Sequence, residues 1–161
     1  MDQSVQFKHL AEIELPEIVH LLNHPGVRAL MPLAAEPADA ASARAWVESK
    51  ESCWTQYPYG PYAIVIGGSF AGWGGLQPEN GEPDFALVLL PEYWGMGKTV
   101  FRMLLHEIAR NPEIPAITVH FPELRKNRNA IERLGFVREK AVLLEGQPFI
   151  RYRLTIAGKK L

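Results

Sequence analysis

The sequence predicts an α/β (α+β) domain, with a mixed, mostly antiparallel sheet of about six to seven strands flanked by helices. Three observations predict it. Short apolar or alternating runs recur between Gly, Pro and Asn turns, as antiparallel hairpins require. One run, Phe85-Ala86-Leu87-Val88-Leu89-Leu90, is apolar throughout, so that strand is covered on both faces and lies centrally in the sheet. Beyond it the spacing becomes helical: Val100, Phe101, Met103, Leu104, Leu105 and Ile108 form an apolar face, while Arg102, His106 and Arg110 share a wet one. His106 therefore reads as a solvated surface histidine.

In chain order, residues 5–10 form a first strand. A helix opens at Pro16, a residue suited to a first turn, carries Ile18, Val19, Leu21 and Leu22 inward, and stops at His24-Pro25-Gly26. A Pro- and Ala-rich bridge leads to a second helix over 37–54, with Ala41, Ala45, Trp46 and Val47 apolar, and Tyr57-Pro58-Tyr59-Gly60-Pro61 breaks it. Strands over 62–66, 70–76 and 84–90 follow as a meander, turning at Gly67-Gly68-Ser69 and Pro78-Glu79-Asn80-Gly81. After the helix over 98–110 come a strand over 116–121 and a helix over 123–134 with Gly135 as its C-cap. Strands over 137–144 and 149–156, joined by Glu145-Gly146-Gln147-Pro148, close the chain. No repeat or linker divides residues 1–161, so a single domain is expected.

The 161 residues are 47% hydrophobic, enough for a sizeable core, and 17 basic against 18 acidic side chains give a net charge of −1. That balance removes the electrostatic case for nucleic acid or an anionic membrane as partner. Cys53 is the single cysteine, which excludes an internal disulfide and a thiolate metal cluster and fits a reducing cytoplasm. With no histidine near it in sequence, Cys53 reads as a bystander rather than a nucleophile. The amino terminus has no signal core and no apolar run approaches ~20 residues, so neither export nor membrane spanning is expected.

The chemistry concentrates in Tyr93-Trp94-Gly95-Met96-Gly97-Lys98-Thr99, which joins the central strand to the amphipathic helix. Two glycines at a helix mouth give a backbone able to wrap an anion, and the first helical turn supplies free N–H groups at the positive end of the macrodipole. A phosphate is the natural guest. The ending Gly-Lys-Thr suggests a nucleotide-binding P-loop, but Glu92 stands where that loop needs its first glycine, and no later strand ends in a carboxylate suited to Mg²⁺. A dinucleotide fingerprint fails as well, because Val100 stands where its third glycine belongs.

The phrase Pro91-Glu92-Tyr93-Trp94-Gly95-Met96-Gly97 after a buried strand, with Glu132-Arg133-Leu134-Gly135-Phe136-Val137 some forty residues on, resembles the GCN5-related N-acetyltransferase (GNAT) superfamily. The order of motifs, including Gly75-Leu76-Gln77-Pro78, is similar to that of the ribosomal-protein N-terminal acetyltransferase branch across nearly the whole chain. The resemblance implies acetyl-CoA as co-substrate, no metal, and a splay between the two central strands into which the cofactor fits. It implies that backbone N–H groups of Gly95, Met96, Gly97, Lys98 and Thr99 hold the pyrophosphate, and that the strand end at Leu89 and Leu90 borders the cofactor. Two positions depart from the family pattern: Trp94 replaces Arg or Gln, and Thr99 replaces Gly or Ala.

In the helix over 123–134, Leu124, Asn127, Ile131 and Leu134 fall on one stripe, so Asn127 interrupts an apolar face. A buried amide needs partners, and either the pantetheine or the neighbouring strand supplies them. Arg128, with Arg125 and Lys126, forms a basic cluster that either meets the adenosine 3′-phosphate or is a solvated face.

Acetyl transfer to an amine needs a base for the amine, stabilisation of the oxyanion and a proton for the leaving thiolate. The resemblance places the oxyanion's backbone N–H at about Leu89. Asp84 at the start of the central strand is the candidate base, with Glu82 and His120 as alternatives, and histidine's ordinary titration range suits the task. The tyrosine that many relatives use as general acid is Ile131 here. Asn23, His24, Arg28 and Met31 on one side, and Trp54, Tyr57, Tyr59 and Tyr62 on another, are the candidate acceptor walls. The expected acceptor is a small-molecule amine or a peptide amino terminus, taken by a monomer or homodimer. A non-catalytic acyl-CoA sensor and, more remotely, a P-loop NTPase or kinase are the alternatives.

Overall fold

The computed structural model describes residues 3–29, 36–123 and 129–156. β1 (Val5–Lys8) passes through a 3-10 turn at Leu10–Glu12 into α1 (Leu15–Asn23), α2 (Pro25–Arg28) and the long α3 (Ala40–Gln56). β2 (Pro61–Ile66), β3 (Ser69–Glu79) and β4 (Glu82–Leu89) form the meander. A 3-10 turn at Pro91–Met96 then leads directly into α4 (Gly97–Ala109). β5 (Ala116–Pro122), α5 (Asn129–Arg133), β6 (Val137–Leu144) and β7 (Gln147–Thr155) complete the described chain.

Local chemistry explains where these boundaries differ from the sequence reading. His24-Pro25-Gly26 does end α1, but proline also suits a first turn, and the His24 Nδ1 accepts from the Gly26 N–H at 3.0 Å, so α2 starts there. α3 begins at Ala40 rather than 37 because Asp39 and Ser42 form a reciprocal cap. Asp39 Oδ1 accepts the Ser42 N–H at 2.8 Å, and the Ser42 hydroxyl accepts the Asp39 N–H at 2.9 Å. The turn after β3 shrinks to Asn80-Gly81, with φ of 53° and 74°, and the turn after β6 to Glu145-Gly146, with φ of 49° and 80°. Two residues in the left-handed region make the tight hairpin, so the flanking strands run longer than expected.

The sheet has seven strands in the order β1-β2-β3-β4-β5-β7-β6. Every pairing is antiparallel except β4 with β5, which is parallel and limited to Asp84↔Thr118 and Phe85↔Val119. Past that point β4 stays with β3 as far as Leu89, while β5 stays with β7 as far as Pro122. The two central strands therefore splay.

Helices cover both faces. Leu10, Ile18, Leu21, Val27 and Ala43, from the α1–α3 side, pack on Ala63, Phe70, Trp73 and Leu90. Val100, Leu104, Leu105 and Ile108 of α4 pack on the opposite face with Leu76, Phe85, Leu89, Ile117, Val119, Ile150 and Tyr152. The all-apolar run of β4 is thus read out as the sequence required: odd positions face α4 and even positions face α3. Asp84 is the polar exception, buried at 7% exposure on the α3 side.

Candidate active site

Asp84 lies at the first of the two paired positions after which β4 and β5 separate, and the strand period puts Thr118 and His120 of β5 on the same face. Thr118 Oγ1 donates to Asp84 Oδ1 at 2.7 Å, and His120 Nδ1 meets the same oxygen at 2.7 Å. A carboxylate only accepts, so Nδ1 carries a proton, and in the neutral imidazole Nε2 is then the acceptor. That Nε2 is buried and has no hydrogen-bond partner among the described residues. A buried imidazole nitrogen left open calls for a donor from outside the protein.

The edge of β4 beside the splay is also set for binding. Leu90 N–H bonds the Ala71 carbonyl on the β3 side at 2.8 Å, so by alternation Val88 and Ala86 face β3, while the backbone groups of Leu87 and Leu89 face the splay. The Leu89 carbonyl is taken by Trp94 Nε1 at 2.9 Å, which places the half-exposed indole at the splay's mouth. By the same alternation the N–H groups of Leu89 and of Leu87, a residue that the sequence does not single out, both line the splay. Leu90, also named for the cofactor, bonds the Ala71 carbonyl through its N–H, accepts from the Tyr93 N–H and buries its side chain in the core.

The glycine turn is a 3-10 helix, not an open loop. Within it the Gly97 N–H is bonded to the Trp94 carbonyl, so Gly97 contributes access rather than a donor. Met96 provides no side-chain cap to α4, so no side chain covers its first turn at Lys98 and Thr99. A Cβ built on Gly95 or Gly97 meets nothing within 4 Å. Neither glycine has a positive φ. Protein packing gives no reason for glycine at these two sites, whereas a ligand lying close to the backbone does. The residues present fit a pyrophosphate.

The other acceptor-wall candidates do not converge on this point. Asn23 spends both ends of its amide on the Ala38 backbone, each at 2.7 Å, and Arg28 Nη1 holds the Glu36 carbonyl at 3.1 Å. His24 caps α2 and packs edge-on against His20. Trp54 Nε1 bonds the Pro61 carbonyl at 3.0 Å, and with Tyr62 it lines a recess of about 380 Å³ beside Glu107, Ile108 and Arg110. That recess lies at the C-terminal end of α4, the far end from the glycine turn, and Tyr62 packs on the α4 face, opposite Asp84 and His120. Glu82 is bound to Arg153 at 2.6 Å, which holds its carboxyl below the usual range and makes it a poor base. Asn127, Arg128 and Met31 lie outside the described residues. Ile131 is in the apolar core.

The family model for the acetyltransferase (GNAT) domain matches residues 5–137. The chain belongs to the GNAT acetyltransferases. No curated protein matches the sequence. Among solved structures, the GNAT chain is similar to the ribosomal-protein α-N-acetyltransferase RimL in complex with coenzyme A, at TM-score 0.78 and 16% identity, covering 97% of this chain and 96% of that one. It is similar to the spermidine N-acetyltransferase of Vibrio cholerae in complex with CoA and spermine, at TM-score 0.69 and 16% identity over 97% and 96%. An acetyltransferase from Agrobacterium tumefaciens matches at TM-score 0.73 and 16% identity over 96% and 92%. At these identities the likeness is one of fold. The GNAT fold accounts for the splay, and the site's side chains are this chain's own.

Proposed function

We propose that the protein is an acetyl-CoA-dependent N-acetyltransferase that moves the acetyl group directly to a primary amine, with His120 as general base and Asp84 as its positioning residue. The observation that carries this is the open, buried Nε2 of an imidazole whose Nδ1 is held by a carboxylate at the point where the sheet splits. From the sequence Asp84 is the favoured base; the unpartnered Nε2 of His120 supports exchanging the two roles.

Bound at the glycine turn with its acetyl arm in the splay, acetyl-CoA supplies an activated thioester. Nε2 removes the proton that the acceptor amine sheds as its nitrogen bonds the carbonyl carbon. The splay-facing N–H groups of Leu87 and Leu89 hold the developing oxyanion. When the carbon–sulfur bond breaks, the imidazolium returns that proton to the thiolate. One group thus serves as base and acid, and no tyrosine is needed at Ile131. Two of the similar proteins, a ribosomal-protein α-N-acetyltransferase and a spermidine N-acetyltransferase, support a primary amine as the class.

The test is a thermal-shift comparison of acetyl-CoA with ATP–Mg²⁺, followed by thiol release with an amine panel. At ~100 times the dissociation constant, acetyl-CoA should add about 2.7 kcal/mol of stability. A shift with ATP alone sinks the reading. Binding without turnover for any amine returns the protein to the acyl-CoA sensor class, which Ile131 favours.

A further inference from the structure

We infer that the acceptor is an amine that also carries a carboxylate, and that Lys50 and Trp73 recognise the carboxylate. The inference rests on the proposed acetyl transfer and names the substrate class of the same site. Lys50 projects from α3 toward the sheet. Its Nζ lies 4.4 Å from the Trp73 ring centroid and 5.6 Å from that of Trp46, and it donates to Gln77 Oε1 at 2.6 Å. Burial pushes the Lys50 amine below the usual lysine range. Yet its one side-chain hydrogen-bond partner is a neutral amide. Among the described residues no carboxylate pairs with Lys50, whereas Arg151 and Arg153 on β7 are bound to Glu139, and Arg153 also to Glu82. A half-buried cation held by an amide and two aromatic faces, with no counter-ion, is an arrangement that an anionic ligand would complete.

A second atom agrees. Trp73 Nε1 and His120 Nε2 are the two buried side-chain polar atoms left without partners among the described residues. Both belong to the α3 side of the sheet. Trp73, Gly75 and Gln77 alternate along β3 on that side, facing Val88, Ala86 and Asp84 of β4, with Thr118 and His120 beyond. Gly75 and Ala86, directly paired, form the floor of this stretch, and Gly75 is glycine because a Cβ there would meet the Gly60 carbonyl at 2.7 Å. Two open donors, the ammonium and the indole N–H, thus stand on one side of the floor, and one open acceptor, the imidazole, stands on the other. The complement is an anion at one end and an amine at the other.

The spacing limits the molecule. β3 and β5 are two strand spacings apart, ~10 Å, at Asp84↔Thr118 and further apart as the splay opens toward His120, so a hydrogen bond of about 3 Å at each end leaves a gap of roughly 4 Å or more between the amine nitrogen and the carboxylate. A chain of three or four bonds spans that, as in a short ω-amino acid or in a peptide amino terminus followed by an acidic side chain. Polyamines and other polycations meet Lys50 as a like charge.

The experiment compares three acceptors on one carbon skeleton: γ-aminobutyrate, γ-aminobutyramide and putrescine, which end in a carboxylate, an amide and an ammonium. Initial rates of CoA release should give kcat/KM for the carboxylate about tenfold or more above the amide, the worth of one charge-assisted hydrogen bond, with putrescine lowest. Lys50→Gln should bring carboxylate and amide within about twofold by raising KM for the carboxylate. Lys50→Glu should reverse the order in favour of putrescine, and Trp73→Phe should cut the carboxylate advantage while keeping the ring. Putrescine equal to or better than γ-aminobutyrate with the unaltered protein, or a ratio that Lys50→Gln leaves unchanged, overturns the inference. If no amine is acetylated, the transfer reading fails. Calorimetric binding of γ-aminobutyrate then decides the anion site: binding lost in Lys50→Gln upholds it, and no binding by the unaltered protein overturns it.

Discussion

His120 Nδ1 lies 2.7 Å from Asp84 Oδ1, and the Thr118 hydroxyl donates to that same oxygen. One carboxylate oxygen thus fixes the imidazole's tautomer and its direction, and the second strand holds the carboxylate in place. Asp84 acts on the reaction through His120.

The first prediction follows from that division of labour. His120→Ala should lower kcat by about 10²–10³-fold, the usual worth of a positioned base, with the acetyl-CoA dissociation constant unchanged. Asp84→Asn should lower kcat less and leave an acid limb in the pH–rate profile, because the imidazole remains. In His120→Gln that limb should vanish. A full acid limb in His120→Gln would transfer the role of base elsewhere.

The glycine turn separates binding from folding. Gly95 and Gly97 are open on the side where a Cβ would point, so Gly97→Val should melt within a few degrees of the unaltered protein, a stability change under about 1 kcal/mol. Calorimetry should nonetheless show acetyl-CoA binding weakened about tenfold or more, since the new side chain stands between anion and backbone. Lys98→Ala should be mild, as the turn binds through N–H groups. A large loss with Lys98→Ala and none with Gly97→Val would restore the P-loop logic.

Acid should probe the polar end of the sheet. Arg153 binds Glu82 at 2.6 Å and Glu139 at 2.9 Å, and Arg151 binds Glu139 at 2.8 Å. Hydrogen bonding to Arg153 is the leading cause that lowers both carboxyls. A carboxyl with a depressed folded value stabilises the protein above its unfolded value, and that contribution is lost as pH falls through the folded one. Both pairs are largely solvated, so the effect should be small. Melting temperatures followed from neutral pH down into the carboxylate range should fall more steeply in the unaltered protein than in Arg153→Gln. Parallel curves would remove these pairs from the acid response.

Much of the architecture was legible because strand alternation, the all-apolar β4 and the helical spacing of α4 are local signals of burial. The errors fell where a cap or a tight turn decides, at Asp39 with Ser42 and at Asn80-Gly81. The site was legible only in part. Asp84 and His120 were chosen separately as rival bases, 36 positions apart, and only the parallel pairing of β4 with β5 makes them one unit. Thr118 and Leu87 carried no sequence signal, because a threonine in a strand and a leucine in an apolar run are what strands ordinarily contain. Trp54 and Tyr62 misled for the opposite reason: aromatic residues near a turn suggest a binding wall, and these two pack at the far end of α4.

Lys50 supplies the last prediction, one about stability rather than rate. Its amine is pushed down by burial, so the folded state holds the ammonium at a penalty that is present below the folded value. The penalty fades as pH rises through the folded value toward the ordinary lysine range, because the folded protein then releases the proton first. Lys50→Met keeps the stem's packing and removes the charge. It forfeits the contact with Trp73 and the bond to Gln77, so the net gain should be modest. At neutral pH it should melt no lower than the unaltered protein, with a difference of at most about 1 kcal/mol, and its advantage should shrink toward about pH 10. Bound γ-aminobutyrate should reverse the ranking, raising the melting temperature of the unaltered protein and not of Lys50→Met. A residue kept for a ligand's charge destabilises the empty site and stabilises the filled one. Lys50→Met melting well below the unaltered protein at every pH would instead make Lys50 a structural cation held by its aromatic neighbours.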